Sequence, residues 1–174
     1  MRHAFNHIIN IIWTVIAFLP VMKYWYGNGI STWFIIITSL SVAAAFFPKK
    51  FYDLFQLSTN RGLYEKLGVK RIRQFVQNGD IAKKIPDKTG DAIINDATNA
   101  RKYLLTIEMY SRFHWVCLWF FLFSTIHAVF TNQVLIALLM FIANMLYNGT
   151  AILLQQYNRL RIEKLLKTLE LMGQ

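Results

Sequence analysis

The stretch FHWVCLWFFLFSTIHAVFTNQVLIALLMFIANMLYNGTAILLQQY, residues 113–157, contains no Lys, Arg, Asp or Glu. Read as helix, residues 113–131 span about 28 Å and residues 134–154 about 31 Å, with Asn132 and Gln133 as the turn between them. A hydrocarbon core is about 30 Å thick, so this is a membrane hairpin. The opening of the chain repeats the pattern. Between Met1 and Pro48 the only charged side chains are Arg2 and Lys23. Residues 5–24 and 30–47 form a second pair of apolar runs, joined at Gly27, Asn28 and Gly29 and closed by Pro48. No small-x-small cleavage site follows the first run, so it reads as a retained helix rather than a leader.

The expected fold is an all-α integral membrane protein, a single membrane domain over residues 1–174. It has four transmembrane helices at about 5–24, 30–47, 113–131 and 134–154, a cytoplasmic interfacial loop at 48–112 and an amphipathic tail at 158–174. Charged residues are only 16% of the chain, against about a quarter in soluble domains, and they cluster between the apolar blocks, which excludes an ordinary soluble enzyme. The central loop holds 13 Lys or Arg, the first turn holds Lys23 and the second turn none. The positive-inside rule therefore places the loop and both termini in the cytoplasm of a multi-pass plasma-membrane protein. The net charge of +10 is assigned to anionic lipid and not to nucleic acid, for which no reading motif is present. Cys117 is the single cysteine, so neither an intramolecular disulfide nor a cysteine metal cluster is expected.

The loop has its own pattern. Phe51, Tyr52, Leu54, Phe55 and Leu57 follow the second run as an interfacial segment. Leu63 to Gly68 read as a helical turn stopped by glycine. Val69, Ile72, Phe75 and Val76 then share a face, with Lys70, Arg71 and Arg73 opposite, as in a helix lying among headgroups. Breaks are expected at Asn78, Gly79 and Asp80 and again over 85–90, with a helix restarting near Asp91. In the tail, Ile162, Leu165, Leu166, Leu169 and Met172 share a face.

Polar side chains mark where chemistry could sit. His3, Asn6, His7, Asn10 and Thr14 form one stripe on the first helix, and Asn144, Asn148, Gln155 and Asn158 another on the fourth. His114 opens the third, with Ser111 one turn before it. Buried polar groups in a membrane are costly unless paired, so these stripes are expected to face each other near the cytoplasmic side. The alternative is that the asparagines only bond neighbouring helices. His3 and His7 have a spacing a metal could use, but no Cys, Asp or Glu accompanies them, so no metal site is expected.

The segment Gln155-Gln156-Tyr157-Asn158-Arg159-Leu160-Arg161 resembles the Q-x-Y-N-R-x-R motif of the glycosyl-4,4'-diaponeurosporenoate acyltransferase family. Asn148, seven residues before the motif, His114-Trp115 and the Glu65 segment from Tyr64 to Lys70 match it in order and spacing. The resemblance runs from about residue 48 to the end. It departs at Ser111, where the family tends to carry glutamate. The resemblance implies transfer of a fatty-acyl group from a thioester, acyl-CoA as co-substrate, to a hydroxyl of a glycosylated carotenoid or similar glycolipid, with no further cofactor. Histidine suits the base that such a hydroxyl needs. His114 is then the general base, oriented by Glu65, and Ser111 the nucleophile of an alternative covalent route. Asn148, Gln155, Tyr157, Asn158, Arg159 and Arg161 are the binding residues, with Asn158, Asn148 or Arg159 for the oxyanion and Arg159, Arg161 and the Lys70-Arg71-Arg73 patch for the donor's phosphates. The competing reading is a non-enzymatic tetraspan, an accessory or transporter subunit; the lack of charge in all four cores weighs against transport.

Overall fold

The computed structural model describes residues 2–76 and 96–172, with side chains from residue 4 onward. The breaks expected at 78–80 and 85–90, the restart near Asp91 and the His3 side chain lie outside the described residues. Within them the chain is helical and no strand occurs. The helices are α1 (Arg2–Asn28), α2 (Thr32–Ala43, extended by a 3₁₀ turn Ala44–Phe46), α3 (Lys49–Asp53), α4 (Arg61–Lys66), α5 (Val69–Ile72), α6 (Ala97–Phe130), α7 (Val134–Asn144) and α8 (Thr150–Leu171), with a π-turn at Met145–Gly149 joining the last two.

Three helices are long and apolar enough to cross a membrane: Ala4–Asn28 with 25 residues, Ala97–Phe130 with 34 and Val134–Leu171 with 38. Thr32–Phe46 is shorter than the run at 30–47 suggested. Ser31 caps its start by accepting from Phe34 N, and Pro48 forces Phe47 into extended backbone (φ −65°, ψ 143°). The last helix runs past the apolar run at 134–154 and through the amphipathic tail without interruption to Leu171, because no Gly or Pro follows Gly149 until Gly173. Asp96 Oδ1 accepts from Asn99 N at 2.7 Å and starts α6. Gly68, at φ 82°, ends the turn begun at α4.

The chain divides into two compact units. One comprises residues 11–55 and 112–152. Its core is Val21, Tyr24, Trp25, Ile37, Phe121, Ala128, Ala137 and Met140. The two hairpin turns lie at one end of it, where Gln133 Nε2 donates to Asn28 Oδ1 at 3.4 Å. There Tyr24 Oη bonds His127 Nδ1 at 2.5 Å, and Trp25 Nε1 donates to Ser124 Oγ at 2.9 Å. His127 thus sits in a packing knot with Trp25 stacked on it at 5.3 Å. At the end of α2, Arg112 donates to the carbonyls of Ala45 at 2.7 Å and Phe47 at 2.9 Å. Its guanidinium lies 5.3 Å from the Tyr52 ring centroid, and the Tyr52 hydroxyl donates to Ala44 O. Burial pushes the Tyr52 phenol up, with the Arg112 charge opposing. The outward faces are apolar: Ile11, Ile16, Leu19 and Met22 on α1 and Leu135, Leu138 and Leu146 at the far end are all more than half exposed, a surface that suits lipid.

The other unit comprises residues 1–10, 56–111 and 153–174. Here the apolar faces of the loop and tail meet protein, where headgroups were expected. Val69, Ile72 and Val76 pack with Tyr64, Leu154 and Tyr157. Ile162, Leu165, Leu166 and Leu169 pack with Ala100, Leu104 and Ile107 of α6. Phe75 turns the other way and is exposed, since the helix tightens to 3₁₀ at Arg73–Phe75 and loses the α spacing. Arg101 and Glu170 add a surface ion pair at 2.8 Å.

Candidate functional site

In the unit built on residues 11–55 and 112–152, His114, Asn148 and Asn144 form one hydrogen-bonded chain. Asn144 and Asn148 are fully buried. His114 Nδ1 lies 3.2 Å from Asn148 Oδ1, Asn148 Nδ2 donates to Asn144 Oδ1 at 2.9 Å, and Asn144 Nδ2 donates to the Leu118 carbonyl at 3.1 Å. The last bond sets the direction of all the others. A backbone carbonyl only accepts, so Asn144 must present its NH2 there and its oxygen to Asn148. Asn148 in turn must present its oxygen to the histidine. His114 Nδ1 is then the protonated nitrogen and Nε2 carries the free lone pair.

The local fold explains why both asparagines serve. They are four residues apart across the junction of α7 and the π-turn Met145–Gly149, and π-turns widen a helix at functional positions. The ring of His114 is flanked edge-on by Phe113 at 5.2 Å and Tyr147 at 5.4 Å. Tyr147 Oη is within 3.1 Å of Thr14 Oγ1, which fixes that ring from the first helix.

The remaining sequence-derived residues lie in the second unit. Among the described residues Glu65 bonds neither to a histidine nor to an asparagine: its oxygens accept from Lys70 Nζ at 2.7 Å and Tyr157 Oη at 3.2 Å. The Lys70 hydrogen bond chiefly holds its carboxyl below the usual range. Partial desolvation opposes this, and the Tyr157 bond and the Lys70 and Arg61 charges add to it. Arg159 Nε is paired with Glu163 Oε1 at 2.9 Å along the helix. Tyr157 is buried, Gln155 and Asn158 are half-buried and Arg161 is exposed. The Ser111 hydroxyl, half-buried on α6, has no hydrogen-bond partner among the described residues. From the first-helix stripe, Asn6 is buried, whereas His7 and Asn10 are exposed.

Three residues acquire roles that the sequence did not suggest. Gln156 Oε1 accepts from Leu57 N at 3.2 Å and Tyr64 Oη at 3.0 Å, pinning the loop to the last helix. Arg61 lies over the Tyr157 ring at 5.3 Å. Tyr147 orients the histidine. Each contact joins residues about 90 to 130 apart or depends on a π-turn, and no local pattern reports such pairings.

These features define a helical protein with three helices long and apolar enough to cross a membrane and a hydrogen-bonded cluster of one histidine and two amides. Residues 48–168 match the glycosyl-4,4'-diaponeurosporenoate acyltransferase family, and the chain belongs to that family. No curated protein and no solved structure matches the chain. The match includes His114, Asn144, Asn148, Glu65 and the 155–161 motif.

Proposed function

We propose that the protein transfers a fatty-acyl group from a thioester donor, acyl-CoA, to a sugar hydroxyl of a carotenoid glycoside, with His114 as general base. The direction of the His114–Asn148–Asn144 chain carries this reading, because it leaves Nε2 as a proton acceptor. The acceptor hydroxyl gives its proton to Nε2 while its oxygen attacks the thioester carbon. Collapse of the tetrahedral intermediate expels the thiolate, which takes the proton back from the imidazolium. Arg159 and Arg161 give the motif its positive charge. Glu65 acts by holding Tyr157. The long apolar acceptor enters from the lipid past the exposed helix faces. Incubating the purified protein with acyl-CoA and a carotenoid glucoside, and following ester formation by mass spectrometry, tests the activity; no ester in a folded preparation defeats it.

A covalent route through Ser111 is the second mechanism, favoured by its unpartnered hydroxyl. Ser111→Ala separates the two. Under direct attack it keeps most of its turnover. Under a covalent route it loses nearly all of it, and the wild type yields an acyl-enzyme that hydroxylamine cleaves.

The proposed topology has four spans, with Thr32–Phe46 crossing a thinned bilayer and both termini in the cytoplasm. Cysteine labelling in a Cys117→Ala background tests it. Asn132 is a poor site, since its φ of 57° strains any other non-glycine residue. Tyr26, 94% exposed in the first turn, serves better. Tyr26→Cys should react with an impermeant reagent from outside and Lys66→Cys should not. The reverse pattern inverts the topology.

A further inference from the structure

An open cavity of about 540 Å³ lies in the unit that contains the motif, lined by Thr59, Asn60, Arg61, Leu160 and Lys164. Its size falls within the range of small-ligand sites. The lining offers two cations, a hydroxyl and an amide, and no carboxylate. The acids closest in sequence are committed elsewhere, Glu163 to Arg159 at 2.9 Å and Glu65 to Lys70 at 2.7 Å. Arg61 spends few of its five donors. One Nη donates to Tyr157 Oη at 3.3 Å, and Nε is buried with no hydrogen-bond partner. The other Nη hydrogens make no further bond among the described residues and are the ones a ligand in the cavity engages. Lys164 is exposed, and its ammonium has no partner among the described residues. Asn60 Oδ1 accepts from Gly62 N at 2.8 Å, which leaves the Asn60 NH2 as its free donor.

The spacing narrows the ligand. Tyr157, Leu160 and Lys164 recur at three and four residues along α8, on one face. Arg61 rests on Tyr157, and Lys164 lies two turns further along the helix, a rise of about 10 Å between the backbone positions of Tyr157 and Lys164. We infer that this cavity binds a ligand carrying two separated phosphate groups, one forked by Arg61 and the other met by Lys164. Resting on the acyl-transfer reading above, that ligand is the donor, a coenzyme A thioester. Coenzyme A carries a 3'-phosphate and a 5'-diphosphate on one ribose, whereas the common lipid headgroup has one phosphodiester.

The test is binding of coenzyme A to the full chain in phosphatidylcholine nanodiscs, by titration calorimetry. Arg61→Gln and Lys164→Gln should each weaken binding about tenfold or more, the loss expected for one charge-assisted contact. Dephospho-coenzyme A should bind the wild type more weakly and lose less on at least one of the two substitutions. Arg61→Gln disturbs Tyr157, but Lys164 has no partner, so Lys164→Gln keeps the inference falsifiable. Equal binding of coenzyme A to wild type and Lys164→Gln overturns it. If the variants bind coenzyme A normally but lose enrichment of phosphatidylglycerol in mixed nanodiscs, the cavity holds a lipid headgroup and the donor assignment falls. A wild type that binds coenzyme A through these residues yet forms no ester defeats the acyl-transfer reading alone. One that forms ester while the variants bind normally defeats the cavity alone.

Discussion

Replacing His114 by alanine is expected to lower acyl transfer by on the order of 10²-fold or more, with the protein still inserted and folded. The argument rests on Nε2, the nitrogen that the hydrogen-bonded chain leaves without a proton. The His114 ring is not part of the Val21–Phe121 core, so its removal spares the main packing of its unit. The wild-type rate should fall as pH drops through the imidazole titration, because an imidazolium cannot accept the hydroxyl proton. Glu65 adds no second limb near neutrality. Its carboxyl is held below the usual range, so its interactions are complete above the ordinary carboxylate pKa and are lost only as pH falls through the lowered value. Full activity of purified His114→Ala would sink the assignment and leave His114 as a packing residue.

Asn148→Leu carries the second largest effect. It removes a buried amide that serves two partners, so His114 Nδ1 and Asn144 Oδ1 both lose their hydrogen bonds. Each orphaned group costs on the order of 1–3 kcal/mol. The histidine also loses the acceptor that selects its tautomer, and turnover should fall by roughly tenfold to a hundredfold. Asn144→Leu is the informative comparison. It lies one bond further from the imidazole and leaves the His114–Asn148 contact in place. It should destabilise the protein about as much while sparing more of kcat. If both substitutions lower thermal stability alike and neither alters kcat, the amides serve helix packing only.

The charge-free blocks made the membrane class legible, since 45 residues without an ionisable Lys, Arg, Asp or Glu leave no soluble alternative. Hairpin turns at Gly29 and Asn132 were readable because both need positive φ, here 71° and 57°. Hydropathy does not mark where a helix ends. Charge returning at Arg159 says where lipid ends, but α8 continues to Leu171 because nothing there breaks its hydrogen bonds. Periodicity showed which faces of 69–76 and 162–169 are apolar and could not say what covers them; Tyr157 and Ala100 do. In the candidate site, Asn148 and His114 were visible through their family spacing. The direction of proton donation was not, because it hangs on the Leu118 carbonyl, 26 residues from Asn144. Arg61 escaped for a similar reason, its contact with Tyr157 being 96 residues away.

The Arg112 contacts at the end of the second helix bear on how the chain is made. At synthesis rates of about 5–20 residues per second, the 65 residues between Phe47 and Arg112 take roughly 3–13 s to emerge. In the proposed four-span topology the first hairpin therefore reaches the bilayer before its own terminal carbonyls have a protein donor. Until then Ala45 and Phe47 must be satisfied by interfacial water, which holds that end of the helix at the headgroup level. A nascent chain stalled before residue 112 should leave residues 44–47 open to hydrogen exchange, and one stalled after the third helix has entered should protect them.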